Sequence, residues 1–345
     1  MSRVLRRVLS GAAVAVVATT LSACTLILPG GTGSPLPVLG PGQPTSGFGS
    51  PGTVSAGATV GHAGSTTAGT YVWWYVPTTL LHGTSAPVVI LLHGFELQAP
   101  QIYQGLIDHL TSEGNIVIYP QFNLGGLTGI LQDTDQNAME SRAVAAVYAA
   151  LAAIGSKADL TDVTLWGHSL GGELATCWMQ AGGVPVQAIT FADPSVNPGA
   201  SLPSFLSSVL TITQVPWRSC AASLTVPVMI ETAGDDTIAP PAADPTSLYQ
   251  ALTHASSKVL YEVHTDHHGL PVLDANHMAP TQATGALPSF LADLVLDGTG
   301  TQDTLDYRYY WAAFDAQLAG QSRAAFAMGA WTDGTPLPAV TQLAP

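Results

Sequence analysis

The chain of 345 residues carries nine basic and 23 acidic side chains, which gives a formal net charge of −14 at pH 7. Hydrophobic residues make up 47% of it and charged residues only 9%, a balance that indicates a packed globular core rather than disorder. So acidic a surface repels phosphate backbones, and nucleic acid is therefore not expected as a partner.

The first predicted element is an export signal. Three arginines within the first seven residues precede an apolar stretch at 8–21, which is shorter than the roughly 20 residues of a membrane-spanning helix. This stretch ends in Leu-Ser-Ala-Cys at 21–24, which resembles the lipobox of bacterial lipoproteins. The resemblance implies a signal peptide of residues 1–23, a diacylated Cys24, and anchorage to the outer face of a bacterial cell membrane. An ordinary cleaved signal with a chance cysteine is the alternative.

A tether is predicted after the signal. More than half of residues 29–52 are glycine or proline, and such a segment cannot build a core. Residues 24–60 are therefore predicted as a Gly/Pro-rich tether and residues 61–300 as the main folded domain. Residues 301–345 are predicted as a helical extension packed on that domain.

Strands and helices alternate through the main domain. Several strand candidates are continuously apolar, which is typical of strands covered on both faces in a parallel sheet. The fold class is therefore predicted to be α/β, with a mostly parallel, doubly wound sheet flanked by helices. The predicted strands are 70–77, 86–92, 115–120, 162–167, 186–192, 226–232 and 258–264, and the predicted helices are 99–112, 138–154, a segment near 287–295, and 303–319.

A candidate nucleophile lies between a predicted strand and a predicted helix. The run Gly-His-Ser-Leu-Gly at 167–171 fits G-x-S-x-G, which is a weak signal alone. Here it joins the strand VTLWG to the helix LGGELATCWMQA, the context that a nucleophile elbow requires. Ser169 is the predicted nucleophile, and a serine that merely caps the helix is the alternative.

A serine nucleophile needs a base and an orienting carboxylate, which follow in the chain order Ser, acid, His. Asp236, in the run GDDTIAP after a predicted strand, is the favoured acid. Asp235 is the second candidate, and Asp193, after strand 186–192, is the third. Both aspartates of GDDTIAP could instead simply cap a turn.

Two histidine sites qualify for the base. His277, in DANHMAP ahead of the predicted helix near 287–295, is favoured over His268 in HTDHH. The HTDHH run could alternatively bind a metal through His264, Asp266 and His268. A solvated loop is the preferred interpretation, so no metal is predicted.

The oxyanion needs backbone N–H donors that are already in position. Leu170, directly after the nucleophile, supplies one predicted donor. Phe95 supplies the other, because Gly94 before it permits close approach of the backbone. His93 and His168 are predicted to be structural.

Two cysteines remain beyond the signal. Outside the cytoplasm Cys177 and Cys220 can pair, but their separation along the chain does not tell whether they meet. The sequence leaves this pairing open.

Together these runs resemble a known group of enzymes. A strand followed by HG, then GHSLGG, GDDTIAP and HMAP, is similar to bacterial cutinase-like and polyester hydrolases and their dienelactone-hydrolase-type relatives, over about residues 70–300. The resemblance implies an α/β-hydrolase fold and a catalytic triad with an oxyanion hole. The positions concerned are Ser169, Asp236 and His277 for the triad and Phe95 and Leu170 for the oxyanion hole.

Three departures from the family pattern stand out. An extra segment separates strand 258–264 from His277, which keeps His268 open as the base. Residues 303–345 extend past the usual end of the family. Trp217 could supply the family's aromatic residue at the cleft, or it could be a core residue.

The leading functional hypothesis is a carboxylic-ester hydrolase at the cell envelope that needs no cofactor and acts on an ester with an apolar acyl group. An acyltransferase that uses the same triad on an envelope sugar or lipid is the alternative, and a non-catalytic binding protein is the third. The sequence leaves open the acyl chain length, the alcohol and the oligomeric state.

Overall fold

The computed structural model describes residues 36–124, 132–197, 211–284 and 298–344. The chain divides into a first unit, Met1–Leu36, and a compact unit, Pro37–Pro345, in which the features below lie. Cys24 and the helix predicted near 287–295 lie outside the described residues.

A single sheet runs through the compact unit. Within the described ranges it has nine strands in the order β1-β2-β4-β3-β5-β6-β7-β8-β9, and the strands from β4 to β8 in this order pair in parallel. Their bounds are β1 Ala58–Ala63, β2 Val72–Pro77, β3 Ala86–Leu92, β4 Ile116–Pro120, β5 Ala158–His168, β6 Ala188–Ala192, β7 Val228–Ala233, β8 Lys258–Val263 and β9 Thr341–Leu343.

Helices cover both faces of this sheet. They are α1 Gln104–Ser112, preceded by a 3₁₀ turn Pro100–Tyr103, α2 Gln136–Ile154, α3 Leu170–Cys177, α4 Trp217–Ser223, α5 Asp244–Ala251, and α6 Trp311–Leu318, preceded by a π-helical turn Asp306–Tyr310. The alternating side chains of β3 show the two layers. Val88 and Ile90 pack in one core with α2 to α5, whereas Val89 and Leu91 pack in the other with α1 and α6. The predicted fold class is confirmed, and the fold is that of an α/β-hydrolase.

Helix α2 illustrates how local sequence sets the bounds of an element. Asp135 caps its N-terminus by accepting the N–H of Asn137 at 3.0 Å, and Gly155 ends it with a φ of 66°. The segment Gln136–Lys157 is long and apolar enough by composition to cross a membrane. In this fold it is a core helix, with residues such as Val147 buried against the sheet.

All seven predicted strands are present, and two further strands lie at the edges. β1 pairs antiparallel with β2, and β9 pairs antiparallel with β8. β9 has only three residues, too few for a periodic pattern to be visible. The predicted helical extension, residues 301–345, therefore contains a helix, α6, and also an added edge strand.

The predicted tether needs a correction. From Pro37 onward the chain belongs to the compact unit rather than to a free linker. Gly49 N–H donates to Asp315 Oδ2 at 2.6 Å, and the Val54 N–H donates to the Ser112 carbonyl at 3.0 Å. Glycine and proline keep residues 37–57 irregular, and side chains and carbonyls of the domain accept several of their backbone N–H groups, whereas residues 58–60 already belong to β1.

Candidate active site

Ser169 occupies a tight turn between the end of β5 and the start of α3. Its φ of 54° and ψ of −120° lie in a region that non-glycine residues rarely adopt. The turn brings α3 so close to the sheet that a Cβ on Gly171 would lie 2.1 Å from the carbonyl oxygen of Leu92. The glycines of the motif are therefore required by packing, and the turn has the geometry of a nucleophile elbow.

The side chains predicted as nucleophile, base and acid lie in hydrogen-bond contact. His277 Nε2 is 2.7 Å from Ser169 Oγ, and His277 Nδ1 is 2.7 Å from Asp236 Oδ2. Asp236 Oδ1 accepts the N–H groups of Ile238 and Ala239 at 2.8 and 2.7 Å, which fixes the orientation of the carboxylate. All three functional side chains are buried. The hydroxyl contacts the imidazole, and the imidazole contacts the carboxylate. This is the arrangement by which a histidine base activates a serine nucleophile.

The two alternative acids lie nearby with other partners. Asp235 is exposed, and its N–H donates to the Ala275 carbonyl. Asp193, with a φ of 43°, is fully buried after β6, and its two oxygens accept the Ala233 N–H and the Tyr310 hydroxyl, each at 2.7 Å. Burial, followed by repulsion from Asp236, holds the pKa of Asp193 well above its usual range.

The HTDHH run faces the C-terminal segment, residues 319–344, and not Ser169. His264 Nε2 lies 2.9 Å from Thr341 Oγ1, Asp266 Oδ2 accepts the Trp331 indole N–H at 2.8 Å, and His268 Nε2 lies 2.7 Å from Asp333 Oδ2. His268 is exposed. The structure therefore does not bring the alternative base to the nucleophile, because the segment that follows α6 takes up its hydrogen bonds.

The loop of residues 93–97, called the oxyanion loop after its predicted role, lies against Ser169. A Cβ on Gly94 would be only 3.3 Å from Ser169 Cβ. The Gly94 carbonyl accepts the Leu97 N–H at 3.0 Å and lies 2.6 Å from His93 Nδ1. Because the peptide unit is planar, these contacts also fix the direction of the Phe95 N–H, one of the two predicted donors. Leu170, whose N–H is the other, is the first residue of α3.

His168 and Tyr103 form a buried hydrogen-bonded pair beside the site. Tyr103 Oη is 2.7 Å from His168 Nδ1 and accepts the Gly94 N–H at 3.1 Å. His168 Nε2 is 2.8 Å from the His277 carbonyl oxygen. His168 was expected to be structural, but Tyr103 was missed, because its only signal was a place in an apolar helical run.

Cys177 at the end of α3 and Cys220 in α4 form a disulfide, with 4.9 Å between their Cα atoms. Trp217, at the start of α4, is buried in the core on the same face of the sheet. Its burial agrees with the alternative of a core residue. The disulfide holds α4 against α3, which is the helix that begins directly after Ser169.

Comparisons with known proteins agree with this architecture. Residues 75–285, more than half of the chain, match the family model for chlorophyllase, and the matched range contains the nucleophile, acid and base candidates. Among solved structures, esterase B from Lactobacillus Rhamnosis (HN001) is similar, with a TM-score of 0.46 and 16% identity over 62% of this chain and 76% of that chain. No curated protein matches the chain.

Proposed function

The chain belongs to the chlorophyllase family, and on that premise we propose that it is a serine hydrolase that cleaves carboxylic esters through an acyl-enzyme. One observation carries the proposal: the Ser169 hydroxyl, the His277 imidazole and the Asp236 carboxylate form a continuous chain of 2.7 Å contacts. The acyltransferase hypothesis requires the same contacts, and nothing in the site favours it over hydrolysis.

The proposed reaction begins with attack of Ser169 Oγ on the acyl carbonyl carbon while His277 Nε2 accepts the hydroxyl proton. Asp236 orients the imidazole and stabilises its charged form. The negative charge on the carbonyl oxygen is held by the N–H groups of Phe95 and Leu170. Collapse of this intermediate breaks the ester bond, and His277 gives its proton to the departing alcohol. Water, deprotonated by His277, then releases the acid and restores Ser169.

Burial supports this assignment of roles. Ser169 is 4% exposed and both His277 and Asp236 are sequestered, so the charges that develop are screened little by water. No step requires a metal or an organic cofactor. The substrate is proposed to be an ester with an apolar acyl group, in keeping with the resemblance to cutinase-like enzymes.

A panel of p-nitrophenyl esters of increasing chain length tests the proposal. Ser169→Ala and His277→Ala are each expected to lower kcat by about a thousandfold or more, because each removes a member of the proton-transfer pair. His268→Ala, which alters an exposed histidine of similar type, is the matched control and should stay near wild type.

Three results would each contradict part of the proposal. Retention of ester turnover and of fluorophosphonate labelling by Ser169→Ala would remove Ser169 as the nucleophile. Loss of turnover in His268→Ala with activity retained in His277→Ala would move the base. If added alcohols are acylated faster than water cleaves the ester, the acyltransferase alternative replaces hydrolysis.

The site of action is proposed to be the outer face of a bacterial cell membrane, through acyl chains on Cys24. The support is the Leu-Ser-Ala-Cys run at 21–24 after a short apolar stretch. The full chain expressed in a bacterium should incorporate labelled palmitate and sediment with membranes. The Cys24→Ser variant should do neither, and membrane attachment of that variant without label would contradict the anchor.

A further inference from the structure

We propose that Tyr103 and His168 are positioning residues for ester hydrolysis, because they link the oxyanion loop to the base loop, residues 274–280, through one buried chain of hydrogen bonds. The chain runs from Gly94 N–H to the Tyr103 hydroxyl, then to the His168 imidazole, and then to the backbone carbonyl of His277. This inference rests on the function proposed above and assigns roles to two side chains that its mechanism does not use.

Every link of this chain is short and shielded from water. The three contacts measure 3.1, 2.7 and 2.8 Å in order from the Gly94 N–H. Tyr103 is 2% exposed, and His168 and His277 are fully buried. A hydrogen bond in such surroundings holds its partners firmly, because neither partner can exchange to water when the contact breaks.

The proton arrangement in the chain has a single solution. The His277 carbonyl can only accept, so His168 Nε2 carries a proton and donates it to that carbonyl. Nδ1 of the neutral imidazole is then an acceptor for the Tyr103 hydroxyl, whose oxygen accepts the Gly94 N–H. Burial, and next the charge of His277, lowers the pKa of His168 well below its usual range, which keeps the imidazole neutral as this arrangement requires.

The ends of the chain explain what it positions. Gly94 precedes Phe95, whose N–H is the proposed oxyanion donor, and the chain ends on the backbone of the base itself. His168 is also the residue directly before the nucleophile. Nucleophile, base and oxyanion donor thus have a common set of buried contacts. A displacement of about 1 Å between such groups can cost on the order of a hundredfold in rate.

A double-mutant cycle tests the proposal with Tyr103→Phe, His168→Leu and their combination, assayed on a p-nitrophenyl ester. Each single variant is expected to lower kcat by about tenfold or more and to leave KM within about twofold. The combined variant should lose about as much as the larger single loss, because both changes interrupt one chain. His168→Gln, which keeps an N–H near the Nε2 position, should recover part of the loss.

Tyr261→Phe is the matched control. It also removes the hydroxyl of a buried tyrosine, one that accepts the Ala324 N–H at 3.0 Å, and β8 lies three strands across the sheet from β5, which carries His168. It is expected to stay within about twofold of wild type. Combined with Tyr103→Phe, its small effect should simply multiply.

Three results would overturn the proposal: kcat within twofold of wild type in Tyr103→Phe, losses confined to KM, or losses in the combined variant that multiply. If a variant does not fold, ¹⁵N chemical shifts of the wild-type imidazoles decide, since a His168 proton on Nδ1 contradicts the chain. Failure of the proposed function is distinguishable, because wild type itself would then neither turn over esters nor react with a fluorophosphonate.

Discussion

Two carboxylates stand at the carboxyl ends of neighbouring strands, Asp193 after β6 and Asp236 after β7. Both are buried, and both lie close enough to interact electrostatically. Asp236 is the one whose oxygen lies 2.7 Å from His277 Nδ1, whereas the oxygens of Asp193 accept from Ala233 and Tyr310. The two residues therefore differ in partner rather than in burial or type.

This difference predicts unequal effects of the same substitution. Asp236→Asn should lower kcat by about a thousandfold or more, because the neutral amide neither holds the required tautomer of His277 nor stabilises its charged form. Asp193→Asn should stay within about tenfold of wild type, because the raised pKa of Asp193 makes a neutral side chain a close mimic. Steady-state kinetics on one ester checks both, and the reverse ranking would make Asp193 the acid.

The choice between His268 and His277 as the candidate base also depends on the contacts of single residues. Local sequence treated them nearly alike, since both follow β8 and both lie among polar residues. Asp333, which is 65 positions further along the chain, lies 2.7 Å from His268 and engages it. No pattern near His268 reveals that contact, so the base could be ranked from the sequence but not decided.

At the scale of secondary-structure elements, the Cys177–Cys220 disulfide joins helices α3 and α4. The bridge closes a loop with a sequence separation of 43 residues, and it starts from the last residue of α3, the helix that follows Ser169. The sequence shows two cysteines but leaves open whether they pair. Their meeting depends on how α4 packs on α3, which is a tertiary contact.

Removal of this bridge should destabilise the protein measurably. Cys177→Ala with Cys220→Ala is expected to lower the free energy of unfolding by about 3 to 4 kcal/mol, because the unfolded chain loses a constraint of this length. Urea denaturation of the double variant and of the oxidised wild type gives the difference. Equal midpoints in the two proteins would show that the bridge contributes nothing to stability.

The two edge strands of the sheet were not predicted from the sequence, because they too depend on tertiary contacts. β1 and β9 are partly exposed, and each pairs with a single neighbouring strand. The segment 37–57 has the composition of a linker, yet it lies against α1 and α6. Long apolar runs in the sequence indicate central strands, whereas edge strands depend on pairing partners elsewhere in the chain.

At the scale of the whole molecule, several carboxyl groups among the described residues are buried or half-buried. Burial raises the pKa of Glu113 to about 7 and those of Glu140 and Glu173 to about 8. Burial also lowers the pKa of His93 to about 4. These shifts act on stability in different pH ranges.

The sign follows from which state binds more protons. A carboxyl with a raised pKa binds its proton more tightly when folded, so its contribution is present at low pH and is lost as the pH rises through the folded value. A histidine with a lowered pKa acts below about pH 6.5, where the unfolded state gains the proton and stability falls as the pH drops. Stability should therefore decline from about pH 6.5 to 8.5.

Urea denaturation at pH 6.5, 7.5 and 8.5 measures this decline. Each carboxyl that titrates contributes up to about 1.4 kcal/mol per pH unit. Glu140→Gln, which mimics the protonated side chain, should make the profile shallower. A flat wild-type profile over this range would contradict the raised pKa values.

The sequence by itself determined the fold class, the seven strands between the two edges of the sheet and the position of the tight turn at Ser169, because these depend on local periodicity and on glycines that a tight turn requires. It also predicted Ser169 as the candidate nucleophile and ranked the candidates for acid and base, which follow it in the chain. The tertiary structure alone decided which histidine contacts Ser169, which aspartate contacts that histidine, whether the cysteines pair, and that Tyr103 and His168 link two loops. Those outcomes depend on distances between residues far apart along the chain, which only packing around the shared sheet sets.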